Sequence, residues 1–189
     1  RARGYGVIGL IAPSLKARGA REFIAAQLVD LAPVAVVNAT AFSGKGKDGA
    51  SPLDATNAPV FQVALATCAE AAWAEAERGL SPADLAMHVV LPEVDGRLFA
   101  GVASFKESGT RDEALEFART AHQPRAERIG AIADHVHGWV RLAAVPAAEK
   151  RAVFVLSTYP GRDWNMAHAV GLDPLASVEA MLGDLAEAG

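Results

Sequence analysis

The run Val60-Phe61-Gln62-Val63-Ala64-Leu65 is almost wholly apolar and has the length of a strand, and the shorter run Val34-Ala35-Val36-Val37 precedes it. A third apolar run, residues 7–11, lies upstream, and residues 20–31 carry apolar side chains at helical spacing before Pro33. Continuous apolar runs are typical of strands buried on both faces, and helices or long crossovers between such strands favour a parallel sheet. We therefore predict an α/β fold, in which a mostly parallel sheet is flanked by helices in Rossmann-like or flavodoxin-like layers.

A β-hairpin insertion is predicted near residues 88–105. Residues 88–91 and 97–105 resemble two strands, and the Asp95-Gly96 pair between them is typical of a hairpin turn. The next stretch, residues 106–123, is polar and indicates neither helix nor strand.

Helices are indicated by their start and stop signals. Residues 67–70 fit a capping box, and Ser81 before Pro82 has the form of an N-cap followed by proline at the first helical position. Two longer helices are predicted downstream, one over residues 124–146 and one that begins at Asp173-Pro174.

Two regions are predicted. Residues 1–145 are expected to form an α/β domain that is incomplete at its N-terminus. Residues 146–189 are expected to be a connector and the first βα unit of a following α/β domain, with a strand at residues 152–157. A βα unit left open needs a neighbour to cover it, so we expect these residues to be an internal piece of a longer protein.

Composition excludes several classes of protein. The chain has 189 residues, of which 51% are hydrophobic and 21% charged, which is close to the globular average and unlike a disordered chain. No run is long enough for a membrane span, and the single Cys68 cannot form an internal disulfide. A net charge of −4 disfavours nucleic-acid binding, and the absence of a recognisable leader predicts a cytoplasmic location.

Several motifs match known patterns only in part. Residues 4–9 have the letters of the dinucleotide fingerprint, but no strand precedes them and the residues after them are strand-like rather than helical. Residues 43–49 have the composition of a phosphate loop without its Lys-Ser/Thr ending, so ATP binding by this loop is not supported. His135 and His137 point to different faces of a predicted helix, and Cys68 has no identifiable histidine partner.

Polar residues at the predicted carboxyl ends of strands are the better site candidates, because open α/β sheets place ligands there. Asn38 and Thr40 follow the strand at residues 34–37, and residues 158–163 follow the last predicted strand. Loop chemistry and helix capping would explain the same residues. Glu93 and Asp95 are two acids in one short turn, which would equally suit a solvated hairpin tip.

Longer stretches resemble the large, CobN-type subunit of ATP-dependent cobaltochelatase, which is similar to the porphyrin-binding large subunit of magnesium chelatase. The most specific stretch is Leu91-Pro92-Glu93-Val94-Asp95-Gly96, preceded by residues 79–87 and followed by Ser104-Phe105-Lys106. Other matching stretches occur in the family's order and cover nearly the whole chain: residues 37–42, 52–55, 58–63, 159–160, 162–163 and 170–178.

The resemblance implies a tetrapyrrole-binding subunit that inserts a divalent metal into its ligand. Its substrates would be Co²⁺ and hydrogenobyrinic acid a,c-diamide, in aerobic cobalamin synthesis. The partners implied are an AAA+ ATPase subunit and its metal-ion-dependent-adhesion-site partner, which would carry ATP and Mg²⁺. We expect the segment alone to be inactive.

Residues 161–169 depart from the family's pattern, since Gly161-Arg162-Asp163 is followed by Trp164-Asn165-Met166-Ala167-His168-Ala169 in place of a glycine-rich segment with a second arginine. Glycine permits backbone conformations that tryptophan and alanine resist, so the loop is expected to differ in shape. A diverged paralogue that handles another metal or tetrapyrrole is therefore one alternative, and a non-catalytic α/β module that binds a small ligand is another. A stand-alone Rossmann enzyme is a third.

Chelation chemistry suggests a role for each candidate. Carboxylates on the macrocycle rim call for cations, for which we select Lys106 and Arg162, and a macrocycle face calls for an aromatic side chain such as Trp164. Loss of the ring N–H protons requires a nearby base, and cobalt suits imidazole and carboxylate ligands. Three residues are predicted to handle protons or metal: Glu93, Asp95 and His168. The substrate-binding set is Asn38, Thr40, Lys106, Arg162, Asp163 and Trp164.

Overall fold

The computed structural model of the protein describes residues 3–156, 167 and 171–188. These group into two compact units, Arg1–Val140 and Arg141–Gly189. The predicted role of residues 146–189 as the start of a further α/β domain stays a prediction. None of the described helices combines the length and the apolar character that crossing a bilayer requires.

The first unit alternates strands and helices. In chain order the elements are α1 (Arg18–Leu31), β1 (Val36–Asn38), a 3₁₀ turn (Pro52–Ala55), β2 (Val60–Ala66), α2 (Glu70–Glu75), α3 (Pro82–Leu85), a π-helical turn (Ala86–Val90), α4 (Leu91–Val94), β3 (Leu98–Asp112), β4 (Phe117–Pro124) and α5 (Ala126–Ala144). Beyond α5 lie a 3₁₀ turn, Ala147–Glu149, and α6, Pro174–Ala188.

The sheet has four strands in the order β1-β2-β3-β4. The pairs β1–β2 and β2–β3 are parallel, and β4 is antiparallel to β3. The predicted α/β class with a mostly parallel sheet flanked by helices is therefore confirmed.

The hairpin lies elsewhere than predicted. It is formed by β3 and β4, so it begins at Leu98 and includes the polar stretch for which the sequence indicated neither helix nor strand. Residues 88–91 belong to the helical segment that joins α3 to α4, and Asp95-Gly96 ends that segment. The apolar run was ambiguous because a short buried helix and a buried strand have the same composition. Gly96 has φ +77°, a left-handed conformation that suits the residue after a helix.

Of the two short helix-start predictions, one is confirmed and the other is wrong. Ser81 Oγ accepts a hydrogen bond from the Asp84 N–H at 3.1 Å, which confirms its role as the N-cap of α3. The predicted capping box at residues 67–70 is wrong, because α2 begins at Glu70 without a side-chain cap. The Thr67 hydroxyl instead donates to the Asp84 carboxylate at 3.0 Å.

Two predicted strands are not strands in the structure. Residues 7–11 have no regular secondary structure and join no sheet, and Ile11 is 99% exposed. Residues 152–156 are likewise outside any ladder, and Ser157 lies outside the described residues. A strand needs a hydrogen-bonded neighbour as well as an apolar sequence, and for these two runs none occurs among the residues that the structure describes.

Two hydrophobic clusters hold the sheet and helices together. One contains Phe105 and Val102 of β3 with Leu80, and Trp73, Leu85 and Val89 pack against it. The other joins Ile24 and Leu28 of α1 to Leu15 and Leu53. On the remaining face, Phe61 of β2 packs edge-on against His135 and Trp139 of α5.

Candidate functional site

Asp95 and Arg97 form a buried ion pair where α4 leads into β3. Arg97 Nη2 lies 2.8 Å from Asp95 Oδ2, and the two side chains are 2% and 1% exposed. The Asp95 oxygens also accept hydrogen bonds from Ser43 Oγ and from the Gly44 N–H, both at 2.6 Å. Burial lowers the pKa of Arg97, and the neighbouring Asp95 charge opposes that shift. The pair therefore joins the loop after β1 to the start of β3.

The same arginine connects to the polar ends of β1 and β2. Arg97 Nη1 donates to Gln62 Oε1 at 3.0 Å and to the Phe42 carbonyl at 3.3 Å. Gln62 Oε1 also accepts from Asn38 Nδ2 at 2.7 Å, and Thr40 Oγ1 donates to Asn38 Oδ1 at 3.0 Å. We call these six residues the inner network: Asn38, Thr40, Ser43, Gln62, Asp95 and Arg97.

Close packing around the inner network requires glycine at position 44. A Cβ added to Gly44 would lie 2.6 Å from Arg97 Nη2 and 2.9 Å from Ser51 Oγ. Since real Cβ atoms do not approach polar atoms so closely, an alanine would displace the guanidinium that Asp95 holds. The loop at residues 43–49, which resembles a phosphate loop in composition, therefore packs at Gly44 against Arg97 and Ser51.

The backbone of that loop is also occupied. The Gly44 N–H bonds to Asp95, the Gly46 N–H bonds to the Ala50 carbonyl at 2.9 Å, and Lys45 Nζ bonds to the Val94 carbonyl at 2.9 Å. A phosphate loop presents free N–H groups and a lysine to its ligand, whereas here the Gly44 and Gly46 N–H groups and the Lys45 ammonium bond to the protein itself.

A second polar group lies where β2 ends and α3 begins. Asp84 is fully buried and accepts from the Thr67 N–H and hydroxyl at 3.0 Å, while Ser81 caps the same turn. Its carboxylate thus takes up the donors of a strand end, which stabilises the crossover from β2 to β3.

His88 occupies the π-helical turn one helical turn beyond Asp84. Pro92 has no N–H to offer the His88 carbonyl, and the widened turn closes instead through a bond from Leu91 N–H to the Ala86 carbonyl. His88 is 6% exposed, and its Nδ1 is buried with no hydrogen-bond partner among the described residues. Burial lowers the pKa of His88; Asp84 opposes this shift and His122 adds to it. Burial thus favours the neutral form of the imidazole.

Strands β3 and β4 supply further polar side chains near this turn. Ser104 Oγ lies 3.3 Å from His122 Nδ1, and His122 is paired across the strands with Lys106. Because side chains alternate along a strand, Ser104, Lys106 and His122 share one face of the hairpin. Lys106 and His122 are exposed there, whereas Ser104 is buried.

Beyond β2, one arginine is shared by two acids. Arg125 pairs with Glu70 of α2 and, at 3.1 Å, with Glu107 of β3. The Glu107 carboxylate also accepts from the Glu70 N–H at 3.1 Å. Nearby, the Arg128 guanidinium lies 4.1 Å from the centre of the Trp73 ring, a cation–π contact.

The structure brings together only part of the predicted site. Asn38, Thr40 and Asp95 share the inner network, and Glu93 lies exposed on α4 two residues away. Lys106 is eight residues beyond Leu98 on β3, more than about 20 Å from Arg97 at the usual rise of a strand. The remaining predicted residues lie outside the described part of the chain: Arg162, Asp163, Trp164 and His168.

The chemical capacity of the inner network is limited by its own bonds. Both Asp95 oxygens are engaged, whereas the Glu93 carboxylate forms no hydrogen bond or ion pair with any residue that the structure describes. Within residues 3–156, 167 and 171–188, no cluster of three or more metal-binding side chains occurs. The arrangement holds the loop after β1 against the start of β3 and leaves the Glu93 carboxylate exposed at its edge.

Sequence reasoning missed Gln62, His88 and Arg97. Two signals were available for the first and last of these: Gln62 lies inside the apolar run 60–65, and Arg97 directly follows Asp95-Gly96. A polar residue within a buried run needs a hydrogen-bond partner, so Gln62 indicated a buried polar contact. For His88 the signal was Pro92, four residues later in what proved to be a helix.

Comparison with known proteins finds one family model, described as CobN/Magnesium Chelatase, that matches residues 1–189. A Sinorhizobium protein named aerobic cobaltochelatase subunit CobN is 35% identical over 191 residues, which is 100% of this chain and 15% of that protein. A Pseudomonas aeruginosa protein of the same name is 38% identical over 131 residues, 69% of this chain and 10% of that protein. This chain thus spans a small part of the length of these relatives.

A solved structure has a similar fold. The catalytic subunit of cobaltochelatase from Mycobacterium tuberculosis superimposes with a TM-score of 0.67 at 28% sequence identity, over 86% of this chain and 14% of that chain. The resemblance noted from the residues is thereby confirmed at the level of family and fold.

Proposed function

Because the chain belongs to the CobN/magnesium chelatase family, we propose that it is a segment of the tetrapyrrole-binding large subunit of an ATP-dependent cobaltochelatase. That cytoplasmic enzyme would insert Co²⁺ into hydrogenobyrinic acid a,c-diamide in aerobic cobalamin synthesis. The observation that carries the proposal is the family match over residues 1–189, together with 35% identity to a cobaltochelatase subunit along the whole chain.

ATP hydrolysis is assigned to partner subunits, an AAA+ ATPase and its metal-ion-dependent-adhesion-site partner, which would hold ATP and Mg²⁺. The occupied donors of residues 43–49 support this division, since Gly44 and Lys45 are bound to Asp95 and to the Val94 carbonyl. The energy of ATP would then reach this segment through subunit contacts.

Proton removal from the macrocycle is assigned first to Glu93. It is an exposed carboxylate on a helix end that the inner network holds in place through Asp95. A base positioned by rigid supports accepts a proton more efficiently than one on a flexible loop. Asp95 then acts as the positioning residue, and His168 stays the candidate for metal handling.

Substrate binding is assigned to residues at two places in the chain. Lys106, exposed beside His122, would pair with a carboxylate of the macrocycle rim, as would Arg162. Trp164 would contact a macrocycle face, and Asp163 would accept from its amides. Asn38 and Thr40 would act indirectly, by fixing the loop that carries Ser43.

The test uses the complete large subunit with its partner subunits, ATP, Co²⁺ and the macrocycle. Glu93→Gln is expected to slow cobalt insertion at least about 100-fold, the usual lower value for loss of a general base. Macrocycle affinity, measured by fluorescence-quench titration, is expected to stay unchanged. Glu77→Gln, at another exposed glutamate, is the matched control and should retain full activity.

Substrate binding is tested by Lys106→Ala against the exposed control Lys16→Ala. Lys106→Ala is expected to weaken macrocycle binding about tenfold, because it removes one charge-assisted hydrogen bond. Unchanged binding and insertion in both Glu93→Gln and Lys106→Ala would refute these assignments. Absence of cobalt insertion by the wild-type assembly would refute the function itself.

A second candidate rests on the sequence of residues 161–169. Trp164 and Ala167 replace glycine-type positions of the family's pattern, so the subunit could serve another metal or tetrapyrrole as a diverged paralogue. Faster insertion of a metal other than Co²⁺, or tighter binding of another macrocycle, would favour that function.

A further inference from the structure

An apolar groove runs along the outer side of β1. Its volume is about 760 Å³, and residues of β1 and of the segment 5–12 line it. Ile24 and Leu28 of α1 contribute one wall and Val136 and Val140 of α5 another. None of the described residues that line the groove carries a charged side chain.

The β1 side of the groove is a free strand edge. The Val36 N–H donates to the Pro59 carbonyl at 3.0 Å, towards β2. Backbone groups alternate in direction along a strand, so the N–H and C=O of Val37 point away from β2 into the groove. The Val37 and Val34 side chains are 53% and 62% exposed. Among the described residues nothing pairs with this edge, because β1 is the last strand of the sheet.

The opposite side of the groove is held away from β1. Tyr5 Oη lies 2.7 Å from His137 Nδ1 on α5, and Arg3 pairs with Asp134 at 2.6 Å on the same helix. After these anchors, Val7, Ile8 and Leu10 line the same groove as β1 without pairing with it in the sheet, and Val7 and Ile8 are about 60% exposed. The groove is therefore a slot lined by the free edge of β1 and by residues of the 5–12 segment.

The slot has the size of one strand. The rise per residue, the spacing between strands and the packing distance between layers define about 160 Å³ for each residue of a buried strand. A volume of about 760 Å³ thus accommodates about five residues. The uncharged lining excludes a ligand with a carboxylate rim, because such a ligand needs cations to pair with.

We propose that this slot receives one apolar β-strand of about five residues, which inserts between residues 7–10 and β1 and pairs with the edge of Val37. The strand comes from the large subunit outside residues 1–189, an origin that rests on the proposed function. The chain matches 15% of the length of its Sinorhizobium relative, so such a subunit contains ample sequence to provide it. Strand addition satisfies the free backbone groups and buries Val7, Ile8, Val34 and Val37 together.

The first experiment measures thiol labelling in a Cys68→Ser background. Val37→Cys and, as a control at the β3–β4 turn, Leu115→Cys are each labelled with maleimide in the complete large subunit, once folded and once unfolded in urea. Leu115 is 73% exposed and remote in sequence from the slot. The Val37-to-Leu115 rate ratio is expected to be at least tenfold lower in the folded subunit than in the unfolded one. An equal ratio in the two states would overturn the proposal.

The second experiment identifies the occupant. A photo-crosslinking amino acid at Val34 of the complete subunit is irradiated, and the products are mapped by mass spectrometry. A crosslink to an apolar segment outside residues 1–189 of the same polypeptide supports the proposal. A crosslink to a second copy, to a partner subunit or only within residues 1–189 overturns it.

Cobalt insertion, measured on the same preparations, separates the two proposals. If the subunit inserts cobalt while the Val37→Cys thiol still reacts with maleimide, the proposed strand is overturned and the proposed function stands. A protected Val37→Cys in a subunit that binds no tetrapyrrole and inserts no cobalt overturns the proposed function and leaves the strand in place.

Discussion

Removing the cation from the inner network should strongly destabilise the first unit. In Arg97→Met, Asp95 stays 1% exposed without its partner, and Gln62 Oε1 and the Phe42 carbonyl each lose a donor. Breaking a buried pair by removal of one partner costs about 3–5 kcal/mol. With a urea m-value of about 2 kcal/mol per molar, the unfolding midpoint should fall by roughly 2 M.

Urea unfolding followed by tryptophan fluorescence measures this change. Arg18→Met is the matched control. Arg18 is 97% exposed, and its ion pair with Glu22 is long, at 3.9 Å, so this variant should leave the urea midpoint unchanged. In the double variant Asp95→Asn/Arg97→Met, both charges are absent, so its loss should be smaller than the sum of the two single losses by about 2–3 kcal/mol. A loss in Arg97→Met no larger than in Arg18→Met, or strict additivity, would refute the reasoning.

Three further changes test other parts of the structure. The lowered pKa of His88 means that the unfolded chain binds a proton that the folded chain does not, so stability should fall as the pH drops below about 6.5. His88→Gln should flatten that dependence of the urea midpoint on pH, and an equal slope would contradict the assignment. Gly44→Ala should destabilise the fold, because its Cβ would meet Arg97 Nη2 at 2.6 Å; an unchanged melting temperature would contradict this. Ser81→Ala removes the N-cap of α3 and should cost about 1 kcal/mol in urea unfolding, with Ser108→Ala as the exposed control.

The sequence predicted only those site residues whose position relative to a strand was evident from the local pattern. Asn38 and Thr40 were selected because they follow a buried strand, and the structure does place both in one polar network with Asp95. The burial of the Asp95–Arg97 pair could not be predicted from the sequence. Nothing in the spacing of Asp95 and Arg97 states that they are buried, and a two-residue separation is equally compatible with an exposed turn.

Sequence alone determined the class of the fold, the helices α1, α5 and α6, and the parallel strands β1 and β2. The helices have apolar side chains at helical spacing, with proline near several of their ends, and β1 and β2 lie in apolar runs of strand length. The family was also accessible, because its Leu-Pro-Glu-Val-Asp-Gly stretch is distinctive in its own right.

Tertiary structure decided the rest. Residues 88–91 became helical because Asp84, Leu85 and Val89 pack against β2 and β3, and residues 7–11 stayed outside the sheet because their anchors on α5 hold them apart from β1. The burial of Arg97 depends on Gln62 and Asp95, which lie 35 residues upstream and 2 residues upstream. Such outcomes depend on which distant groups meet, since a backbone donor or a buried charge is stabilised only by the partner that the fold brings to it.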